Sequence, residues 1–271
     1  MIITKDVEND LRKFESLLGY KCNLESPKSH NEKLMRKKYT DRNPLLQLTA
    51  DKIKVREYVN EVLGDNNLFF QRIYEGYNLR EAEKFLTNNC VIKMNNASGR
   101  NIFITKEEDK KNAIKKIIDN NWMNKSYGDK KGEWCYQNIK PGIVIENIIF
   151  NKAHDNYRFL CFNGVIKFFH VHNYELKNGR HVKNYCTTYD DNFNFVDVIY
   201  KDLKNTKIEK NVFFEEMKTY SEKLSKPFDF VRVDFICDEE KIVFSELTHY
   251  PVSGKCKFNP ISFDYKLGEL W

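Results

Sequence analysis

Asn163-Gly164 stands between two runs of aromatic and β-branched residues, Tyr157 to Phe162 and Val165 to His170. Asn-Gly supplies the two positive-φ residues that a type I′ turn requires. The pair predicts an antiparallel hairpin and commits this part of the chain to a sheet. Pairing residues that sum to 327 puts Arg158, Leu160 and Lys167 on one face, and Asp155, Tyr157, His170 and His172 on the other. A second hairpin is predicted from Phe228 to Ile236, a turn over Cys237 to Lys241, and Ile242 to Leu247. With its turn centred on Glu240, residues summing to 480 face each other. Asp234 then lies opposite Glu246, and Arg232 opposite Thr248.

The remaining patterns interleave strands with helices. Leu68 to Tyr74, Cys90 to Met94, Arg100 to Thr105 and Gly142 to Phe150 read as strands. Asp51 is placed to cap a helix that carries Val55, Val59 and Val62 on one face and ends at Gly64. Thr105 and Glu108 have capping-box spacing and predict a helix to about Asp119, whose Lys110, Lys111, Lys115 and Lys116 form a solvated face. Asn211 to Leu224 is a further helix. Strand pairs with helices between them predict an α+β class with mainly antiparallel sheets, not a doubly wound parallel sheet. The chain divides into a mostly helical polar segment, 1–63, and two further units, 64–150 and 151–271.

Composition narrows the classes. Apolar residues at 41% are enough for a core and exclude a mostly disordered chain. With 11 Gly and 6 Pro, collagen and low-complexity arrays are excluded. No window approaches the ~20 apolar residues of a membrane span, and the first residues lack a signal-peptide core. Seven scattered Cys without a Cys-x-x-Cys give no support to zinc ribbons or thioredoxin chemistry. They read as reduced core thiols of a cytoplasmic protein. The net charge of +6 suits anionic small molecules or sugars, and nucleic acid is not the expected partner.

Three constellations carry candidate chemistry. Lys93 leaves a strand directly into the polar loop Asn95-Asn96-Ala97-Ser98-Gly99. Such a loop can turn backbone N–H groups onto phosphates while the lysine neutralises charge; the alternative is an ordinary hairpin turn. The opposed acids Asp234 and Glu246 call for a positive group between them: a hard divalent cation, or Arg232 on a solvent-facing sheet. Glu146 lies in an apolar strand, followed by Asp155, Asn156 and Arg158. It reads as an edge residue or as part of a segment that holds adenine. His170-x-His172 lacks a third metal ligand nearby and reads as a packed, hydrogen-bonded pair.

Taken in order, several segments resemble the ATP-grasp superfamily, and within it the TupA-like branch associated with teichuronopeptide biosynthesis. They are Leu18 to Lys33, Ala50 to Val59, Ile92 to Gly99, Tyr157 to Gly164, Tyr189-Asp190, Val233-Asp234 and Ser245 to Gly254. The resemblance implies two α+β subdomains that clamp ATP between mainly antiparallel sheets. It implies Lys52 and Lys93 as nucleotide lysines, with Asn95, Asn96, Ser98 and Gly99 in the phosphate loop. It implies Glu146, Asn147 and Ile148 as the adenine hinge, and Asp155 or Asn156 at the ribose. Arg232, Lys93 and Arg158 are implied as catalytic, and Asp234, Glu246 and Thr248 as Mg²⁺ ligands. The sequence departs from the branch in its phosphate loop, at Asn156-Tyr157-Arg158, and from Asn173 to Lys183, where acceptor specificity is expected to diverge.

The implied reaction is ATP-dependent and Mg²⁺-dependent. A carboxylate is activated as an acylphosphate and captured by an amine. The expected substrates are a uronic-acid carboxylate of a capsular or related glycan and an amino acid or small amine. The rival reading is a glycosyltransferase of polysaccharide biosynthesis, although no two Asp are spaced as Asp-x-Asp. A third is a non-catalytic carbohydrate- or nucleotide-binding module.

Overall fold

The computed structural model describes residues 4–64, 67–149, 153–177, 180–200 and 203–271. Four helices come first: α1 (Lys5–Leu18), α2 (His30–Thr40), α3 (Pro44–Ala50) and α4 (Val55–Leu63). Ser29 and Glu32 form a reciprocal capping box that starts α2. Helix α4 begins at Val55, not at Asp51. Asp51 instead closes α3, and its carboxylate accepts from Ile53 N and from the Asn95 side chain, both at 2.9 Å.

The next elements are β1 (Arg72–Gly76), α5 (Leu79–Glu83), β2 (Cys90–Met94), β3 (Asn101–Ile104), α6 (Glu107–Asp119), α7 (Tyr127–Lys131) and β4 (Ile143–Asn147). The first strand starts four residues later than the sequence predicts, and Phe150 of the predicted strand lies outside the described residues. Asp109, not Glu108, caps α6, accepting from Thr105 N and Lys106 N. The strands form a four-stranded antiparallel sheet in the order β1-β4-β2-β3. Period-2 alternation divides its faces. Cys90, Ile92, Met94, Ile143 and Ile145 pack with Ala113 and Ile117 of α6. Val91, Lys93, Val144 and Glu146 are left for the opposite face.

The chain continues through β5 (His154–Phe162), β6 (Val165–Lys177), β7 (Arg180–Asp190), β8 (Phe195–Val196), β9 (Ile199–Tyr200), α8 (Phe214–Ser225), β10 (Phe230–Cys237), β11 (Ile242–Thr248), β12 (Phe258–Asn259) and α9 (Ser262–Glu269). A six-stranded antiparallel sheet runs β11-β10-β5-β6-β7-β8, and β12 pairs with β9. Asn163 and Gly164 both have positive φ, 48° and 80°, as the type I′ turn demands. The predicted pairing holds for Cys161 with Ile166 and then slips by one, because Lys167 has no partner across the ladder. This bulge pairs Arg158 with His170 and Asn156 with His172. Both histidines therefore share the face of Arg158, which corrects the predicted faces.

One face of this sheet carries Tyr157, Phe159, Phe169, Val231 and Val233 against Phe214 and Met217 of α8. The other face is divided along its length. Leu160, Phe162, Phe168 and Phe230 are covered by Phe258, Phe263 and Leu267 from the C-terminal segment. Asn156, Arg158, Arg232 and Asp234 continue the same face beyond that cover. All seven cysteines are free, six of them buried, in line with core thiols. Among the described residues, no helix is long and apolar enough to cross a membrane.

Candidate active site

Strand alternation aims Lys93 away from the helices of its sheet, and Glu146 beside it receives it. Lys93 Nζ donates to Glu146 Oε2 at 2.7 Å, and Arg56 Nη2 donates to Oε1 at 3.1 Å. Arg72 lies 3.9 Å from the same carboxylate. Burial alone would raise the pKa of Glu146, but Lys93, Arg56 and Arg72 outweigh it and hold it below the ordinary value. One carboxylate thus serves three cations, and the cluster keeps a net positive charge. Arg56 and Arg72 escaped the sequence reading, because nothing local ties either of them to Glu146.

The loop after Lys93 is fixed from below. Asn95 is fully buried; its amide donates to Asp51 at 2.9 Å and accepts from Gly142 N at 2.6 Å. Its side chain supports the loop from within. Lys52 Nζ donates to Ala97 O at 2.6 Å and so braces the loop from the other side. Gly99, at φ 73°, turns the chain back into β3 in a conformation that side chains rarely adopt. Asn96 is fully buried, and neither polar atom of its amide has a partner among the described residues. An orphaned amide inside a polar loop fits the arrival of a phosphate.

In the second hairpin, Asp234 pairs with Glu246 and Arg232 with Thr248, the register predicted from the sequence. Ser245 is then bulged out. Arg232 lies over both acids. Its Nε and Nη2 donate to the two oxygens of Asp234 at 2.7 and 2.6 Å, and Nη2 reaches Glu246 Oε1 at 3.2 Å and Thr248 Oγ1 at 3.0 Å. The arginine is 6% exposed and Asp234 1%, so the pair is buried, not solvent-facing. Burial pushes the Asp234 carboxyl up, opposed by Arg232 and by Arg158 at 3.6 Å. Glu246 differs: despite burial its pKa is held down by Arg232 and Lys52, and it spends only Oε1 on Arg232 and Thr248. Glu246, Thr248 and Asp234 are all-oxygen donors, which fits a hard Mg²⁺ completed by phosphate oxygens. Glu246 is the more available of the two acids.

Two cavities meet at this hairpin. A cleft of about 440 Å³ runs between the two sheets. Phe70, Val91, Phe103 and Ile148 give it an apolar end, and Lys93, Ser98, Arg158 and Glu246 a polar end. Gly99, Asn147 and Asn156 also line it. A second chamber of about 460 Å³ is lined by Arg158, Arg232, Glu246, Thr248, Ser98 and a group of tyrosines. Ser98, Arg158 and Glu246 belong to both. Asp155 is turned away. It shares the helix-side face with Tyr157, accepts from Asn173 at 2.7 Å, and lines a separate cavity. Asn156 lines the cleft, so strand alternation puts only one of the two ribose candidates there. Tyr174 and Lys183, from the divergent stretch after Asn173, also line the cleft. Among the described residues no group of three or more His, Cys, Asp or Glu side chains that could hold a metal is present, and His170 bonds Thr188 while His172 meets Cys186.

Two facing antiparallel sheets, a lysine-and-loop wall on one and an Arg-Asp-Glu hairpin on the other, are the architecture of an ATP-grasp protein. The model of the TupA-like ATPgrasp family matches residues 32–271, and the chain belongs to that family. Members of the ATP-grasp superfamily are ATP-dependent ligases that use ATP and Mg²⁺. No curated protein matches the chain. Among solved structures it is similar to D-alanine-D-alanine ligase from Helicobacter pylori: 16% identity, 83% of this chain, 61% of that chain, TM-score 0.44. It is also similar to L-amino acid ligase from Bacillus licheniformis, at 13% identity over 82% of this chain and 45% of that chain, TM-score 0.42. A third similar structure is N5-carboxyaminoimidazole synthase from Aspergillus clavatus, at 9% identity over 82% of this chain and 47% of that chain, TM-score 0.41. The chain spans at most 61% of the length of these proteins.

Proposed function

We propose that this chain is an ATP-dependent ligase that joins a carboxylate to an amine through an acylphosphate, releasing ADP and phosphate. The observation that carries the reading is the meeting of two cavities at Ser98, Arg158 and Glu246. Phosphoryl transfer is mostly positioning and charge neutralisation, and such a junction provides both. ATP, when bound, supplies the phosphoryl group, and Mg²⁺ screens its charge. Phe70, Val91 and Ile148 would hold the base and Asn156 the sugar. Lys52, Lys93 and the loop from Asn96 to Gly99 would hold the phosphates. Glu246, with Thr248 and Asp234, would hold the metal. Arg158 and Arg232 draw the acceptor carboxylate to the junction and offset the charge that develops there.

The acceptor is proposed to be a uronic-acid carboxylate of a capsular or related surface glycan, and the amine an amino acid or small amine. Tyr127, Tyr136, Tyr200 and Tyr250 line the second chamber along with its arginines. Apolar ring faces with polar tips suit a sugar ring, and the arginines suit its acid. The test is turnover of uronates against amines with Mg²⁺-ATP, using an ¹⁸O-labelled carboxylate. The label is expected in the released phosphate, with ADP as co-product. AMP with pyrophosphate, or a nucleoside diphosphate released from a sugar donor without ATP, would show a different chemistry, the latter that of a glycosyltransferase.

A further inference from the structure

Glu133 lies in the wall of the second chamber, between α7 and the short 3₁₀ turn Trp134–Tyr136. It is 4% exposed. No cation lies within ion-pair distance of it among the described residues, although three lysines are near enough to act on it. Two of the three are engaged elsewhere. Lys38 and Lys255 both pair with Asp10 of α1, Lys255 at 2.8 Å, and Tyr39 donates to the same carboxylate at 2.7 Å. The third, Lys131, is exposed at the rim. The Ser253 hydroxyl is also near enough to hold its pKa down. That serine sits in an unusual backbone. Val252, Ser253 and Gly254 have φ of 52°, 57° and 72°, three left-handed residues in succession, one of them β-branched. At non-glycine residues such as Val252 and Ser253 this conformation is sparsely populated and persists where the surroundings over-determine it, often at ligand sites.

A buried carboxylate without a cation normally finds one or loses its charge. Burial does push Glu133 above the ordinary carboxylate pKa, against Ser253 and the lysines. Tyr127 and Tyr136 beside it are pushed up by burial as well, while burial pushes Lys38 down to about 8. A second group in the same chamber also lacks a partner. The Tyr250 hydroxyl is buried and makes no hydrogen bond among the described residues. Both vacancies accept or share a proton, and both face a chamber whose far wall holds the phosphoryl junction.

We propose that Glu133 receives the ammonium group of the amine substrate and takes a proton from it. This rests on the ligase reading above. Glu133 removes one proton from R–NH₃⁺ and becomes neutral. The free amine attacks the acylphosphate carbonyl, forming the C–N bond. The C–O bond to phosphate breaks, and the phosphate leaves as HPO₄²⁻ with the second amine proton. Glu133 then returns its proton to solvent. The carboxylate substrate is held apart from this group by Arg158 and Arg232.

The test is binding, so it does not need the acceptor to be known. The protein is loaded with Mg²⁺ and adenylyl imidodiphosphate. It is then titrated calorimetrically with the twenty common amino acids, ethanolamine and putrescine, each beside its hydroxy analogue. At least one amine is expected to bind, its hydroxy analogue not. Glu133→Gln should weaken that binding at least about tenfold, since a charge-assisted hydrogen bond is lost. Nucleotide affinity should not change. Glu133→Asp keeps the charge and should retain part of the binding; it also serves if the Gln variant does not fold. If the nucleotide binds but no amine does, or if Glu133→Gln leaves amine affinity intact, the role assigned to Glu133 is wrong while the ligase reading survives. If the nucleotide itself does not bind, both fail.

Discussion

Arg232 decides how its hairpin behaves. Like charges facing across strands are unfavourable, and the register alone puts Asp234 and Glu246 in that position. The structure resolves the conflict unequally. Asp234 takes both oxygens to the guanidinium and is sealed; Glu246 gives one oxygen and keeps 32% of its side chain exposed. Removing one partner of a buried ion pair strands the other, at a cost of about 3–5 kcal/mol. A partner exposed by about a third matters less, about 1 kcal/mol. Asp234→Asn is therefore expected to destabilise the ligand-free protein severely, whereas Glu246→Gln leaves its stability nearly unchanged and abolishes the Mg²⁺-dependent part of nucleotide binding. Urea denaturation of both variants checks this. Equal losses would mean that Arg232 does not discriminate between the two acids.

At the scale of elements, the largest correction comes from a single residue. Lys167 is exposed and has no cross-strand partner, yet it sets the face of everything after it in β6. A one-residue slip moves a whole strand's side chains to the opposite face. Deleting Lys167 would remove the bulge and bring Phe168 next to Ile166, which leaves Leu160 with Phe168, Arg158 with His170 and every later pair in register and on its present face. That deletion is therefore expected to stay folded and to cost no more than about 3 kcal/mol, and Lys167→Ala should stay within about 0.5 kcal/mol. Thermal melts of the two variants check this, and a deletion that fails to fold would show that the strand's faces depend on the bulge itself. The segment before α2 makes a related point. Tyr20, Ser29, Asn31 and Glu32 are part of the motif that suggested the family, and none of them lines the cleft. Tyr20 and Asn31 instead bind Asp264 of α9, at 2.6 and 2.8 Å, and tie the two ends of the chain together.

At the scale of the whole molecule, the cleft joins two sheets that have separate cores. A nucleotide lying between them would contact both and would stabilise the native state by mass action, by about 2.7 kcal/mol at one hundred times Kd. Mg²⁺-ATP is expected to raise the Tm by several degrees, and a nucleotide sugar is not. Lys93→Met should remove most of that rise without changing the circular dichroism, because Glu146 keeps Arg56 and Arg72 as partners. An unaltered rise in the variant would take Lys93 out of the nucleotide site.

The sequence by itself determined the local elements and their order. The Asn163-Gly164 turn, strand Cys90–Met94, and the facing of Asp234 by Glu246 all follow from short-range rules of turn chemistry and alternation. It also supplied the family, because the motifs recur in a fixed order. Tertiary structure alone decided which candidates share a site. Asp155 and Asn156 are neighbours in the chain, and only the packing of α8 against the sheet assigns one to the core side and the other to the cleft. That the Asn95 amide goes to Asp51 and Gly142 was equally out of reach of the sequence. Arg56, Arg72 and Glu133 carry no local signal, since their partners lie far along the chain and burial cannot be read from a polar residue's neighbours. A bulge, a buried charge and a shared cavity wall are all set by how surfaces fit in three dimensions, and periodicity in one dimension does not encode that fit.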